Sequence, residues 1–493
     1  MKENRREFLI KTGCTLTMTA LATQMRHLGL MSAYAQKHEI NNSANAVPSD
    51  YRALVCIFMA GGNDGNNMVI PNHNDATISN YGAYSAIRTA SGLAIDQASL
   101  LPIAVPRMGG LTYGLHPALG PVTGGINNGI HELWSMGKMA VVANVGTLIK
   151  PLTRTTYQNN SIPKPYQLFS HSDQIAQYQG GRSDLVSFTG WGGRISDLRT
   201  SPDNPSGLIP MVTSISGAQL FTAGQTTLPL AIGTGTLGSV LNPSSPNTNN
   251  SAVRTAFNNL RTIDLSNDLV AAADHITDSA MAANAVFQTN PYDPAGFPTT
   301  NIGNQLRQVA RVIKKRTDLS VNRQVFFVQL GGFDTHSQQV GTQNTLLSQL
   351  GQAMRAFYNE MVTQGLEDKV TQFTMADFSR TFSPAGTGAN SVGSDHAWGN
   401  HHFVVGGALT GADFYGMNGS NGTPYPHLAF NTGDDADSGS GARGRWIPAT
   451  SVEQYAATLA RWFGVPDANM ASVFPNIANF ASSNLGFMQP PAA

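Results

Sequence analysis

Four apolar segments, separated by stretches long enough to form helices, constrain the fold of this chain more than any other feature. Continuous apolar runs of this length are typical of strands that are buried on both faces of a parallel sheet. The runs are residues 53–59, 139–143, 325–330 and 370–375. Helical patterns occur at about 118–136, 303–316, 342–364 and 451–463. Strands alternating with helices predict an α/β fold with a doubly wound, mostly parallel sheet.

The first 35 residues have the three parts of an export signal. Arg5 and Arg6 precede a short apolar stretch at 12–22, and Ala33-Tyr34-Ala35 offers a small-residue cleavage pattern. The paired arginines predict a twin-arginine signal peptide, with the translocase as a transient partner and a mature product outside the cytoplasm, periplasmic or extracellular. The apolar stretch is too short and too interrupted for a stable membrane span.

The remaining organisation follows from composition. Residues 36–50 are polar and predict a linker, and residues 51–485 hold the α/β pattern. Between about 200 and 300 the chain is rich in Ser, Thr, Asn and Gly, which predicts a loop-rich insertion or cap. The chain has 30 basic and 30 acidic residues, so it lacks the basic surplus that nucleic-acid binding requires.

Polar residues capable of binding metals follow three of the predicted strands. Ligand sites in open α/β sheets lie at the carboxyl ends of strands, so these positions are the ones to inspect. Carboxylates together with imidazoles suit Zn²⁺ or Mn²⁺, and the set is large enough for two ions. The candidate ligands are Asp64, Asp334, His336, Asp377, His396 and His401.

Each candidate also has a purely structural interpretation. An Asp in a glycine-rich turn, such as Asp64, is most often an Asx turn or a helix cap. Asp334 and His336 could form a capped helix start, and His401 and His402 could be one buried and one exposed side chain. The recurrence of ligand types after three strands favours a metal site over these alternatives.

Several motifs in the chain resemble an exported family known as domain of unknown function 1501. The segment 377–381 departs slightly, because the family more often has Glu-Phe-Gly-Arg-Thr there; either acid can bind a metal. The matching segments are Gly61-Gly62-Asn63-Asp64-Gly65, Gly114-Leu115-His116-Pro117-Ala118, Gly331-Gly332-Phe333-Asp334-Thr335-His336, Asp377-Phe378-Ser379-Arg380-Thr381 and Ser394-Asp395-His396-Ala397-Trp398-Gly399.

The resemblance implies an alkaline-phosphatase-like fold, because that family is placed in the alkaline phosphatase and sulfatase superfamily. It implies a two-metal site in which Asp64, Asp334, His336, Asp377 and His396 are ligands. The nucleophile implied by position is Ser170, which could equally be a helix N-cap. A formylglycine nucleophile is disfavoured, because Cys56 lies within a predicted strand and lacks the maturation motif.

The sequence therefore predicts an exported metal-dependent hydrolase of phosphate or sulfate esters, acting on a small molecule or a glycan. Arg380 is a candidate for bidentate contact with the anionic group, although it could instead form a structural ion pair. The alternative is a non-catalytic exported protein that binds a metal or ligand through a degenerate hydrolase site.

Overall fold

The computed structural model describes residues 50–235, 248–263, 265, 268–388 and 390–490. The predicted signal peptide lies outside the described residues, as does the predicted linker except for Asp50. The strands in chain order are β1 (Arg52–Ala60), β2 (Val69–Pro71), β3 (Leu101–Val105), β4 (Leu111–Leu115), β5 (Met139–Gly146), β6 (Val212–Ser214), β7 (Leu230–Ala231), β8 (Arg323–Gly331), β9 (Val370–Ala376), β10 (Asn400–Gly406), β11 (Phe414–Tyr415) and β12 (Thr450–Ser451).

The α-helices range from single turns to 25 residues, and no helix of the described residues is long and apolar enough to cross a membrane. In chain order they are α1 (Gly65–Met68), α2 (Tyr81–Arg88), α3 (Glu132–Ser135), α4 (Arg154–Gln158), α5 (His171–Gly180), α6 (Trp191–Asp203), α7 (Thr248–Arg261), α8 (Asp268–Gln288), α9 (Asn301–Lys314), α10 (Gln339–Thr363), α11 (Val452–Phe463) and α12 (Met470–Val473).

The main sheet is mostly parallel and has the order β11-β5-β10-β9-β1-β8-β6-β7, with β12 also paired to β5. Strand β1 lies between β8 and β9 and is parallel to both. Strand β10 is antiparallel to both of its neighbours, β5 and β9. A smaller antiparallel sheet has the order β2-β4-β3. The four predicted strands and the mixed α/β class are confirmed.

Both faces of the main sheet are covered, which explains why its strands are apolar throughout. Alternate residues of β1 point into two separate cores, with Val55 and Ile57 in one and Cys56 and Phe58 in the other. Residues of α9 and α10 pack into the first core, and residues of α6 and α11 pack into the second. The sheet is therefore sandwiched between helical layers.

The register of the central strands places three chain segments at one edge of the sheet. Ala60 of β1 pairs with Gly331 of β8, and Met59 pairs with Ala376 of β9. The residues that follow these strands consequently leave the sheet side by side. Because β10 is antiparallel, its first residue, Asn400, lies at this same edge and pairs with Val145 near the end of β5.

The structure differs from the predicted helices at one place. The segment 118–136 was expected to be helical, but only a 3₁₀ turn (Pro117–Leu119) and the single turn of α3 form there. Gly124 and Gly129 between them adopt positive φ angles of 74° and 69°, which a helix does not tolerate.

The stretch at about 200–300 is more regular than its composition indicated. It begins in the last residues of α6, contributes β6 and β7 to the main sheet, and includes α7 and α8. Residues 236–247, within the expected loop, lie outside the described part of the chain.

Candidate metal centre

Four side chains converge at the sheet edge where β8 and β9 end. They are His171, Asp334, His336 and His396, and we refer to them as the histidine cluster. Asp334 and His336 follow β8, His171 is the first residue of α5, and His396 lies in the segment between β9 and β10. All four are partly exposed, with between 25% and 49% of each side chain accessible to solvent.

The ligand atoms of the cluster lie unusually close together. His396 Nε2 lies 3.1 Å from His171 Nε2 and 3.0 Å from His336 Nε2. Asp334 Oδ1 lies 3.3 Å from His171 Nε2, 3.1 Å from His336 Nε2 and 3.5 Å from His396 Nε2. These distances describe two triangles of donor atoms that share the edge between His396 and Asp334.

The outward nitrogens of the three rings are held by acceptors. His171 Nδ1 lies 2.6 Å from Asp377 Oδ2, and His396 Nδ1 lies 2.7 Å from the carbonyl oxygen of Phe169. His336 Nδ1 lies 3.3 Å from Asp395 Oδ1. Because these partners accept hydrogen bonds, each Nδ1 carries the hydrogen, and a neutral ring keeps a lone pair on Nε2.

This arrangement fits a divalent metal ion. Lone pairs that face one another at about 3 Å repel unless a proton or cation lies between them. Zinc bonds of 2.0–2.1 Å imply tetrahedral donor separations of roughly 3.3 Å, close to those among His171, Asp334 and His396. Three protein ligands with a fourth position open is the arrangement of catalytic zinc sites.

Asp377 orients His171 and does not reach the cluster as a ligand. Its carboxylate is buried, and the backbone N–H of Gly61 donates to both of its oxygens at 3.1 and 3.2 Å. The hydrogen bond that His171 donates to Asp377 raises the pKa of His171, whereas burial lowers the pKa of His396. The carboxylate, a predicted ligand, lies behind the His171 ring in contact with Nδ1.

Arg380 makes its hydrogen bonds within the protein. Its side chain is fully buried, and it donates to the carbonyl oxygens of Gly61, Gly62, Phe333 and Ser394 as well as to Asp334. Burial raises the pKa of Asp334, but the hydrogen bond and charge of Arg380 outweigh it and lower the pKa to about 2. Arg380 thus keeps Asp334 ionised, and its donors are not free to bind a substrate anion as predicted.

Asp64 lies away from the histidine cluster, contrary to expectation. Its side chain is 1% exposed and forms an ion pair with the fully buried Arg88, at 2.6 Å from Nη1 to Oδ2. Asn66 and Gln339 donate further hydrogen bonds to the same carboxylate. Asp64 also caps α1, the structural role that its glycine-rich turn first indicated.

His401 and its neighbour His402 are also separated from the cluster, because both lie within β10 in the middle of the main sheet. The two rings point to opposite faces: His401 stacks on Tyr425 and His402 on Tyr455. His401 Nδ1 accepts a hydrogen bond from the backbone N–H of Asn144. Burial lowers the pKa of both histidines to about 3, so both are neutral core residues.

Ser170 is the N-cap of α5 and directly precedes His171 in the chain. Its hydroxyl forms no capping bond to the helix backbone and donates instead to Asp173 Oδ2, at 2.5 Å. The preceding residue, Phe169, has a φ of 71°, a left-handed conformation that is costly for a bulky side chain. Such strain is characteristic of functional sites, and here it directs the Phe169 carbonyl to His396.

Sequence reasoning missed His171 and Asp173. Both belong to the segment after Gln167 that the family resemblance singled out for Ser170, but neither follows a strand. A search that included the first turns of helices at the same sheet edge would have found them, since helix N-termini and strand ends meet there in α/β folds.

Comparison with known proteins found a similarity to one family over part of the chain. A family model described as protein of unknown function (DUF1501) matches residues 237–427, which include the segments that contain Asp334, Asp377 and His396. The family resemblance predicted from the sequence is confirmed for residues 237–427, whereas the segments 61–65 and 114–118 lie outside the matched range. The crystal structure of PsFucS1, a sulfatase from Pseudoalteromonas sp., aligns over 90% of this chain and 71% of its own, with 9% identity and a TM-score of 0.32. No curated protein matches the sequence.

Proposed function

We propose that this chain is an exported, metal-dependent hydrolase of phosphate or sulfate esters with an alkaline-phosphatase-like fold. The observation that carries the proposal is the convergence of three imidazole Nε2 atoms on the carboxylate of Asp334. His171, Asp334 and His396 would hold the ion, and His336 flanks them. A divalent ion bound there supplies Lewis-acid polarisation of an ester oxygen.

The same geometry favours one ion over the two that the family resemblance implies. Asp64 is neutralised by Arg88 and takes no part in the cluster. Asp334 Oδ1 is already shared with the guanidinium of Arg380, so a fixed positive charge occupies that side of the carboxylate. A second divalent ion near Arg380 would be repelled without an additional acid to compensate for its charge.

Ser170 and Asp173 supply the groups for attack on the ester. Asp173 Oδ2 accepts the hydroxyl hydrogen of Ser170. As Ser170 Oγ forms its bond to the phosphorus or sulfur atom, Asp173 takes the hydroxyl proton and the bond to the leaving ester oxygen breaks, and that oxygen receives the proton. Attack of water on the resulting seryl ester then releases phosphate or sulfate and restores Ser170. The backbone N–H groups of the first turn of α5, together with the helix dipole, favour negative charge developing beside Ser170. Orientation of His171 by Asp377 and of His396 by the Phe169 carbonyl keeps both Nε2 atoms turned inward.

We propose that the active protein works outside the cytoplasm, in the periplasm or beyond, after twin-arginine export. The support is the leader pattern of Arg5, Arg6 and the Ala33-Tyr34-Ala35 cleavage pattern. That route carries proteins which are already folded, so the histidine cluster could be loaded with metal before export.

The test is the metal content of the exported protein, purified without chelator and measured by elemental mass spectrometry. We expect one zinc or manganese ion per chain, and hydrolysis of p-nitrophenyl phosphate or p-nitrophenyl sulfate that is lost after dialysis against a chelator. Asp334→Ala should hold no metal and show no hydrolysis. A folded wild-type protein that neither contains nor takes up these ions would refute the proposal.

A further inference from the structure

Arg445 is a cation at the rim of the histidine cluster. Its Nε donates to the backbone carbonyl oxygen of His396 at 2.9 Å, and its guanidinium carbon lies 4.7 Å from the ring centre of Phe169. These two residues are joined by the bond from His396 Nδ1 to the Phe169 carbonyl. The side chain of Arg445 is 29% exposed, so the guanidinium is in contact with solvent beside the cluster.

The other two arginines of the site are held differently. Arg380 is buried and bonded to four carbonyl oxygens and Asp334, as described above. Arg443 pairs with Asp395 at 3.0 Å and donates to the carbonyl oxygen of Ser383. Arg443 therefore reaches the cluster through Asp395 and His336, on the side away from the His396–Phe169 contact.

Arg445 keeps part of its hydrogen-bonding capacity unused. Nη1 lies 3.2 Å from Asp437 Oδ1, but Nη2 has no partner among the described residues. Packing against Phe169 fixes the plane of the guanidinium, and the two N–H groups of Nη2 remain available to an oxyanion.

Building on the proposed function, we propose that Arg445 binds an anionic oxygen of the phosphate or sulfate group and is the residue that determines affinity for it. This is the role that the sequence assigned to Arg380. Phosphate and sulfate esters present the same tetrahedral oxyanion, so charged donors on Nη2 would serve both. Arg445 contacts none of the cluster's ligand atoms in the described structure. Its removal should therefore weaken binding of the anion without releasing the metal.

The experiment is titration calorimetry of inorganic phosphate, and separately of sulfate, into the zinc-loaded mature protein. We expect Arg445→Ala to weaken binding of at least one anion by about tenfold or more, as loss of a charged hydrogen bond predicts. Arg445→Lys should lose less, because it keeps the charge. Zinc content, measured on the same samples, should equal that of the wild type.

Arg107→Ala provides a matched control. Arg107 also packs on an aromatic ring, that of Tyr415 at 4.3 Å, and lies 3.6 Å from Asp413, but neither partner belongs to the cluster. This variant should bind both anions as the wild type does.

Three results would overturn the inference. Unchanged anion affinity in Arg445→Ala, or zinc-loaded wild type that binds neither anion, would exclude the contact. Loss of zinc from Arg445→Ala would show that Arg445 positions His396 instead. A wild type that takes up no zinc would overturn the proposed function itself, and the inference with it.

Discussion

Two carboxylates at the same edge of the sheet, Asp64 and Asp334, have opposite surroundings. Asp64 follows β1, is buried, and receives hydrogen bonds from Arg88, Asn66 and Gln339. Asp334 follows β8, is 49% exposed, and lies within 3.5 Å of three imidazole nitrogens that have lone pairs to share. The difference shows that an acid can bind a metal when bonds within the protein leave lone pairs of its oxygens unused. This matters more than the residue type.

The histidines repeat the same contrast. His171, His336 and His396 each use Nδ1 on an acceptor and turn Nε2 toward the others. His401 and His402 instead stack on tyrosines inside the sheet. The cluster histidines keep their Nε2 atoms available to a ligand, whereas the strand histidines are buried in the core.

The strongest test of this contrast replaces each of the two aspartates by alanine in a separate variant. Asp334→Ala should abolish metal binding, because it removes the oxygen shared by three nitrogens. Asp64→Ala should retain the metal but lower the free energy of unfolding by about 3–5 kcal/mol, because it leaves the buried Arg88 without its counter-ion. Elemental analysis and urea denaturation, applied to both variants, measure the two effects.

Loss of metal from a folded Asp64→Ala protein would contradict this contrast, because it would show that Asp64 is a metal ligand. Unfolding should be followed on metal-free samples, so that any stabilisation by bound metal does not enter the free energies.

A smaller effect is expected at the acid behind His171. Asp377→Asn should lower zinc affinity by roughly 10–100-fold. The contact of Asp377 with His171 orients the ring and raises the basicity of its Nε2, and the substitution weakens this contact. Asp395→Asn is the matched variant, and it should cost less, since Asp395 is 37% exposed and lies 3.3 Å from His336. Competition with a chromophoric chelator gives both affinities. Equal losses in the two variants would contradict the ranking.

The smallest effect concerns the strand histidines and acid stability. The folded pKa of His402 is lowered to about 3 from an ordinary 6.5, so the unfolded chain binds more protons between these values. Its contribution to stability is therefore present above about pH 6.5 and is lost as the pH falls toward 3, at roughly 1.4 kcal/mol per pH unit.

Replacing this ring with a hydrocarbon ring removes the titration and keeps the stacking. His402→Phe should show a shallower decrease in the free energy of unfolding between pH 6.5 and 5 than the wild type, measured by urea denaturation on metal-free protein. His401 still titrates in this variant, so part of the acid dependence should remain. Parallel curves for the variant and wild type would contradict the assignment of His402 as a neutral core residue.

Much of the fold could be predicted because strands that are buried on both faces must be apolar along their whole length. This pattern located β1, β5, β8 and β9 within a few residues. It could not locate β10, whose first residues are Asn400, His401 and His402. Asn400 and His401 bond to neighbours distant in sequence, and both histidine rings stack on tyrosines, so these polar residues enter the sheet without a local signature. The positive φ angles of Gly124 and Gly129 similarly prevent the helix that the sequence pattern predicts over 118–136.

The site was predictable only in part, for a related physical reason. Placement after a strand identified Asp334 and His336, and a motif identified His396. Whether an acid is already neutralised depends on partners such as Arg88, which lies 24 residues from Asp64 and has no local signature. His171 reaches the cluster from a helix start, so a strand-end rule could not include it.

The antiparallel direction of β10 has a consequence for how the site can vary. The segment 377–399 leaves the sheet after β9 and re-enters it as the adjacent strand, so it begins and ends at one edge. Asp377, Arg380, Asp395 and His396 are all carried on this one excursion. A change within it can therefore alter one ligand, His396, together with residues that support the other ligands, while the strand pairing that anchors both of its ends stays unchanged.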